Sequence, residues 1–101
     1  MSNRLNLQST LENLLGSRNV YYQPPTNIQM KYPAIIYTKS DIYERKADNT
    51  KYSQYTRYAI TVVDKLPDNA VIENILELPM SSYDRHYVSE NLNHDVITLY
   101  Y

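Results

Sequence analysis

His86 and His94 are the two histidines of the chain, and both lie in one stretch, SSYDRHYVSENLNHDVITLYY, with Asp84, Glu90 and Asp95 beside them. Two imidazoles and a carboxylate on adjacent strands form a conceivable donor set for a transition metal. Their spacing matches neither a helical histidine pair nor a zinc knuckle. The competing reading, carried forward here, has both imidazoles hydrogen-bonding locally at a surface. No other constellation for chemistry stands out. The chain has no cysteine, which excludes thiolate nucleophiles and disulfide staples. Its one glycine, Gly16, cannot build a phosphate cradle. Paired carboxylates need a cleft, which a domain of ~100 residues seldom shapes alone. The expectation is a non-enzyme with no catalytic residue, no metal and no cofactor. Arg57 and Arg85 fall in predicted strands. Each guanidinium either lies over neighbouring tyrosines or grips a carboxylate across a subunit boundary.

These residues need elements to hold them. Leu7, Leu11, Leu14 and Leu15 make one apolar stripe and predict a helix over 3–15, with Ser2 or Asn3 as its cap and Gly16 at its left-handed stop. NVYYQPP reads as a short extended piece ended by Pro24 and Pro25. YPAIIYTKS reads as a strand entered through Pro33, with Ala34 to Thr38 as its body. Residues 40–54 are charged and without a clean period. They predict a long exposed loop or a projecting hairpin arm, with Asp48 and Asn49 near its tip. In YTRYAITVVD, Tyr58, Ile60 and Val62 share one face, and Arg57, Ala59, Thr61 and Val63 the other.

Val71, Ile72, Ile75, Leu76 and Leu78 mark a second helix capped by Asp68 and followed by Pro79. Two antiparallel strands then run to Tyr101 around a three-residue turn at Asn91–Asn93. That register places Tyr87, Ile97, Leu99 and Tyr101 toward the helices. It places Asp84, His86, Val88, Val96, Thr98 and Tyr100 on the other side. The order α-β-β-β-α-β-β gives an α+β fold, a mostly antiparallel sheet with two helices on one face.

At 101 residues the chain reads as a single domain, 1–101, with one modest core. The net charge is −1; six of the 10 Lys/Arg but four of the 11 Asp/Glu fall in the first fifty residues. No basic stripe suits nucleic acid as the main ligand. No apolar run approaches the ~20 residues of a membrane span, and no signal-peptide pattern opens the chain, so synthesis in the cytosol is expected. All 12 aromatic residues are tyrosine. Each pairs a large apolar ring with a hydroxyl that needs a partner, which suits half-buried positions at the core margin or at subunit boundaries.

From about Gly16 onward, NVYYQPP, YPAIIYTKSDIYERKADNTKYSQYTRYAITVVDKLPD and LPMSSYDRHYVSENLNHDVITLYY resemble the small tail terminator (tail completion) proteins of long-tailed bacteriophages. The Tyr-Pro-x-Ile-Ile-Tyr segment and the Asp-Arg-His-Tyr … Asn-Leu-Asn-His-Asp hairpin carry most of the resemblance. It implies a homo-oligomeric ring, typically of six subunits, at the head-proximal end of the tail in the virion. Such a ring caps the tail tube, ends its polymerisation and meets a head-completion protein. DNA passes through it without sequence-specific contact, and no membrane is involved. The alternative is a small protein-binding adaptor of the phage neck. The family has no common catalytic motif. On either reading the expected contact residues are Tyr43, Tyr52, Arg57, Asp84, Arg85, His86 and Tyr100.

Overall fold

The computed structural model describes residues 4–24, 29–46, 52–66 and 69–101, with side chains described outside 41–46 and 52–55. The predicted α+β class holds, with two helices and a five-stranded, mostly antiparallel sheet. In chain order the elements are α1 (Arg4–Leu15), β1 (Val20–Tyr22), β2 (Ala34–Lys46), β3 (Tyr52–Asp64), α2 (Ala70–Leu76), β4 (Ser81–Ser89) and β5 (Leu92–Tyr100). Across the sheet the order is β1-β2-β3-β5-β4; β1 runs parallel to β2, and the other neighbours are antiparallel.

The leucine stripe of α1 puts Leu7 and Leu11 fully inside, with Leu14 and Leu15 half-buried against the same core. Gly16 ends the helix at φ +82, a left-handed angle that costs a glycine little, and its N–H donates to the Glu12 carbonyl at 2.9 Å. In α2, Val71 and Ile75 are buried on the same side of the sheet as Leu7 and Leu11. Its N-cap is Asn69, one residue later than expected, because the Asn69 side chain accepts from the Val71 N–H at 2.9 Å. Asp68 lies outside the described residues. At the other end, the Ser81 hydroxyl donates toward the Leu76 and Leu78 carbonyls at 3.2 and 2.7 Å, satisfying groups the helix leaves open.

The faces of β3 fall as the alternation predicts. Tyr58, Ile60 and Val62 join Ile35 and Tyr37 of β2 and Ile97 and Leu99 of β5 beneath the helices. Tyrosine is not confined to the margin, however. Tyr37 is fully buried and Tyr58 nearly so. The hydroxyl of Tyr37 is accommodated because it donates to Gln8 Oε1 at 2.5 Å. Gln8 in turn donates to the Val20 carbonyl and to Glu12, each at 3.0 Å, and Arg4 reaches Tyr37 at 3.4 Å. A satisfied hydroxyl removes the desolvation penalty that would otherwise push Tyr toward the rim. The rings of Tyr22, Tyr37 and Tyr58 follow one another at centroid distances of 4.9 and 5.8 Å, so this polar core edge is also an aromatic row.

Two expectations are corrected in the strands. The segment from residue 40 is not a loop: β2 continues to Lys46, and β3 begins at Tyr52, paired with it. Of the two readings, the hairpin arm stands; its expected tip at Asp48 and Asn49 lies outside the described residues. The final hairpin turns at Glu90 and Asn91, not at Asn91–Asn93, with Ser89 opposite Leu92. Both turn residues have positive φ, 52 and 64, the geometry of a type I′ loop. An irregularity between Tyr83 and Arg85 leaves Asp84 as an extra residue in β4. The shorter turn and this bulge together reassign the faces. Tyr87 stands opposite His94, on the side away from the helices, while His86 stands opposite Asp95 and Val88 opposite Asn93. Leu99 and Tyr101 keep their expected side: Leu99 is fully buried and Tyr101 packs half-buried on the core.

Candidate functional site

The end of the sheet formed by β4 is its open side. Among the described residues β4 pairs only with β5, and eight of its nine residues are exposed. Residues in an exposed strand normally read as polar, yet Tyr83, Tyr87 and Val88 are 46%, 40% and 62% exposed. Met80, just before the strand, adds further exposed apolar area. A long edge with unpaired backbone groups and apolar side chains is a place where another chain can add.

The phase of the ladder shows which backbone groups are free. A two-residue loop is closed by a hydrogen-bonded pair, here Ser89 and Leu92. Pairs then alternate, so Tyr87 bonds inward to β5, while Val88 and His86 turn their N–H and C=O outward.

The side chains around this edge are held from within the hairpin. Arg85 pairs with Asp84 at 3.1 Å, an exposed ion pair worth at most about 1 kcal/mol. Its guanidinium also lies 5.7 Å from the Tyr87 ring centroid, and Tyr87 stacks on His94 at 4.6 Å and 9°. One of the two readings for Arg85, the guanidinium laid over a tyrosine, has its contact within the chain. His94 Nδ1 lies 3.1 Å from the Leu92 carbonyl, and His86 Nε2 lies 3.1 Å from Asn93 Oδ1. Asn93 donates on to the Lys65 carbonyl at 3.2 Å. On the core side, the Tyr83 hydroxyl donates to Asp95 Oδ1 at 2.7 Å. That bond to a buried carboxylate raises the Tyr83 pKa, since ionising the phenol would set two negative charges together.

The two histidines therefore lie on opposite faces of the hairpin, each engaged locally. Among the described residues no group of three His, Asp or Glu side chains gathers in a metal-binding arrangement. Arg57, in β3, sits opposite Tyr100 of β5, and its Nε donates to Ser40 Oγ at 3.1 Å. Tyr100 is half-buried on the face turned from the helices. Tyr43 and Tyr52 belong to the arm, opposite Tyr55 and Lys46 respectively, and their side chains lie outside the described residues.

Of the expected contact residues, Asp84, Arg85 and His86 share the exposed strand, whereas Arg57 and Tyr100 lie two strands and one strand inward. Sequence reasoning turned Tyr87 toward the helices and left Tyr83 unplaced, so it missed both as exposed residues; Val88, expected on the side away from the helices, is exposed but stands on the core side opposite Asn93. The signal was present in SENL, a two-residue turn, but without the Asn-Gly or Asp-Gly pair that usually marks one.

Comparison with models of known protein families gives no match, and no curated protein matches the chain.

Proposed function

We propose that this chain is a structural, non-enzymatic subunit of a bacteriophage tail, a tail terminator. As a ring, typically a hexamer, it caps the tail tube at its head-proximal end, stops further polymerisation and presents a surface to a head-completion protein. The observation that carries the reading is the exposed edge of β4, with Tyr83, Tyr87 and Val88 open to solvent. A ring subunit needs two different patches, one for each neighbour. The β4 edge supplies one, and the β2–β3 arm, at the other side of the sheet, supplies a second. Of the segments that resemble the terminator family, Asp-Arg-His-Tyr … Asn-Leu-Asn-His-Asp falls on β4, its turn and β5, while Tyr-Pro-x-Ile-Ile-Tyr opens β2 at the foot of the arm, under the cover of β1. DNA passes the ring without being read, in keeping with the net charge of −1.

Electron microscopy of the protein with purified tail tubes tests the proposal. The expected result is a ring at one tube end and tubes that no longer lengthen when tube protein is added. A single copy at another position in the neck would replace this reading with the adaptor. Absence from the particle would end both.

A further inference from the structure

We propose that β4 of one copy adds, antiparallel, to the free outer edge of β2 in a second copy, so that one sheet continues from subunit to subunit. The inference deepens the ring reading and rests on it for the partner being another copy of this chain. β1 covers β2 only over Ile35–Tyr37. Just beyond, the Lys39 N–H is taken by Gln23 Oε1 at 3.4 Å. From there to Lys46, no strand among the described residues pairs with that side of β2. The sheet thus has two free edges, residues 40–46 of β2 and residues 81–89 of β4, on opposite sides.

Strand direction makes them fit. β1 and β2 run one way, β3 the other, β5 with β2, and β4 against it. Two copies in the same orientation, one advanced along the strand axis so that 81–89 lies beside 40–46 and not beside β1, therefore bring β4 to β2 antiparallel, the stronger of the two pairings. Each copy then gives one edge and receives at the other, which is the head-to-tail contact that closes into a ring or grows as a filament. The symmetric alternative, β4 against β4 about a two-fold axis, is disfavoured. Full overlap of 81–89 sets Arg85 directly against Arg85, and like charges placed opposite destabilise a pair.

The absence of native cysteine makes the test direct. Tyr43→Cys and Arg85→Cys variants, mixed as purified full-length chains at up to about 1 mM and treated with a short bis-maleimide, should cross-link in the mixture. Neither should cross-link alone. Val88→Pro removes an outward N–H and leaves the β4–β5 ladder intact, a position an edge strand tolerates. It should weaken self-association in sedimentation by at least about tenfold while keeping the wild-type circular dichroism spectrum. Cross-linking of Arg85→Cys with itself, wild-type protein that stays monomeric throughout, or association untouched by a folded Val88→Pro would each overturn the proposal. Should Val88→Pro not fold, the cysteine pair decides. A chain that pairs through 43 and 85 but is absent from tails keeps this inference and loses the tail reading. A chain that caps tubes without that cross-link loses this inference alone.

Discussion

Replacing Leu99 with alanine separates the two faces of β5 by energy. Leu99 is fully buried beneath the helices, opposite Tyr58 on one side and Ser81 on the other. The change removes three carbons, worth about 0.8 kcal/mol each in transfer, and leaves a void that the sheet backbone cannot collapse into. The expected loss is about 3 kcal/mol. For a domain of this size that lowers the melting temperature by on the order of 15 °C. Tyr100, the next residue, is half-buried on the opposite face, and its backbone N–H donates to the Met80 carbonyl whatever the side chain. Tyr100→Ala should cost roughly 1 kcal/mol or less and weaken assembly or tail attachment by more than Leu99→Ala does in protein that remains folded. Thermal melts by circular dichroism give the first quantity, and co-sedimentation with tail tubes gives the second. A Leu99→Ala protein that melts within a few degrees of wild type, or a Tyr100→Ala protein that melts well below it, would refute the assignment of faces. Wild-type attachment by Tyr100→Ala would remove Tyr100 from the contact surface.

Asn69→Ala removes the α2 cap and should cost about 1 kcal/mol, read as a shift in urea midpoint; Lys65→Ala, an exposed neighbour, serves as the control. Tyr37→Phe leaves Gln8 Oε1 without its buried donor and should cost about 1 kcal/mol; a double-mutant cycle with Gln8→Ala should show coupling, and strict additivity would argue against the bond. Burial raises the pKa of Tyr37 and of Tyr58 above the ordinary 10.0, so both stay protonated in the fold where the unfolded chain ionises. Their contribution to stability is therefore complete below the unfolded value and is lost as pH rises through the folded values. Urea melts should weaken on going from about pH 8 to about pH 11, and Tyr37→Phe should blunt that loss. Tyr83→Phe should destabilise the chain more than Tyr87→Phe in the same melts, because it strips the donor from buried Asp95, whereas the contacts of Tyr87 with His94 and Arg85 are made by its ring, which Phe keeps.

Periodicity made the helices and the faces of β3 legible, because each rests on one repeating contact with one core. Leu7 and Leu11 had no other place to go, and Tyr58, Ile60 and Val62 alternate without interruption. The arm was legible only in outline. In residues 40–46 no apolar alternation marks a strand, since pairing with β3 is made by the backbone. A register irregularity after Lys39 also breaks the period at the point where charge sets in. The last hairpin misled for a related reason. Glu90 and Asn91 both take left-handed angles without a glycine to announce them, and Asp84 adds a residue that reverses parity along β4. Either feature alone moves every later side chain to the other face.

The same bulge bears on function. Without Asp84 as an extra residue, unbroken alternation from Tyr83 opposite Ile97 would set Arg85 and Tyr87 on the core face and His86 and Val88 on the other. With it, Arg85 and Tyr87 stand beside His94 and Val96 on the open face, while Val88 and His86 keep the side of Asp95, both exposed. β4 thus presents apolar area on both sides of its free backbone edge. A strand arriving there gains ladder bonds from the edge and side-chain contacts above and below it. Edge strands are ordinarily protected by charge, proline or short length. β4 has nine residues, no proline, and charges that are largely paired with each other through Asp84 and Arg85. An edge so lightly guarded suits a strand that is covered once the protein reaches its working state. On the proposed reading the docking surface therefore runs along β4, where His86 contributes its outward backbone groups while its imidazole stays on Asn93.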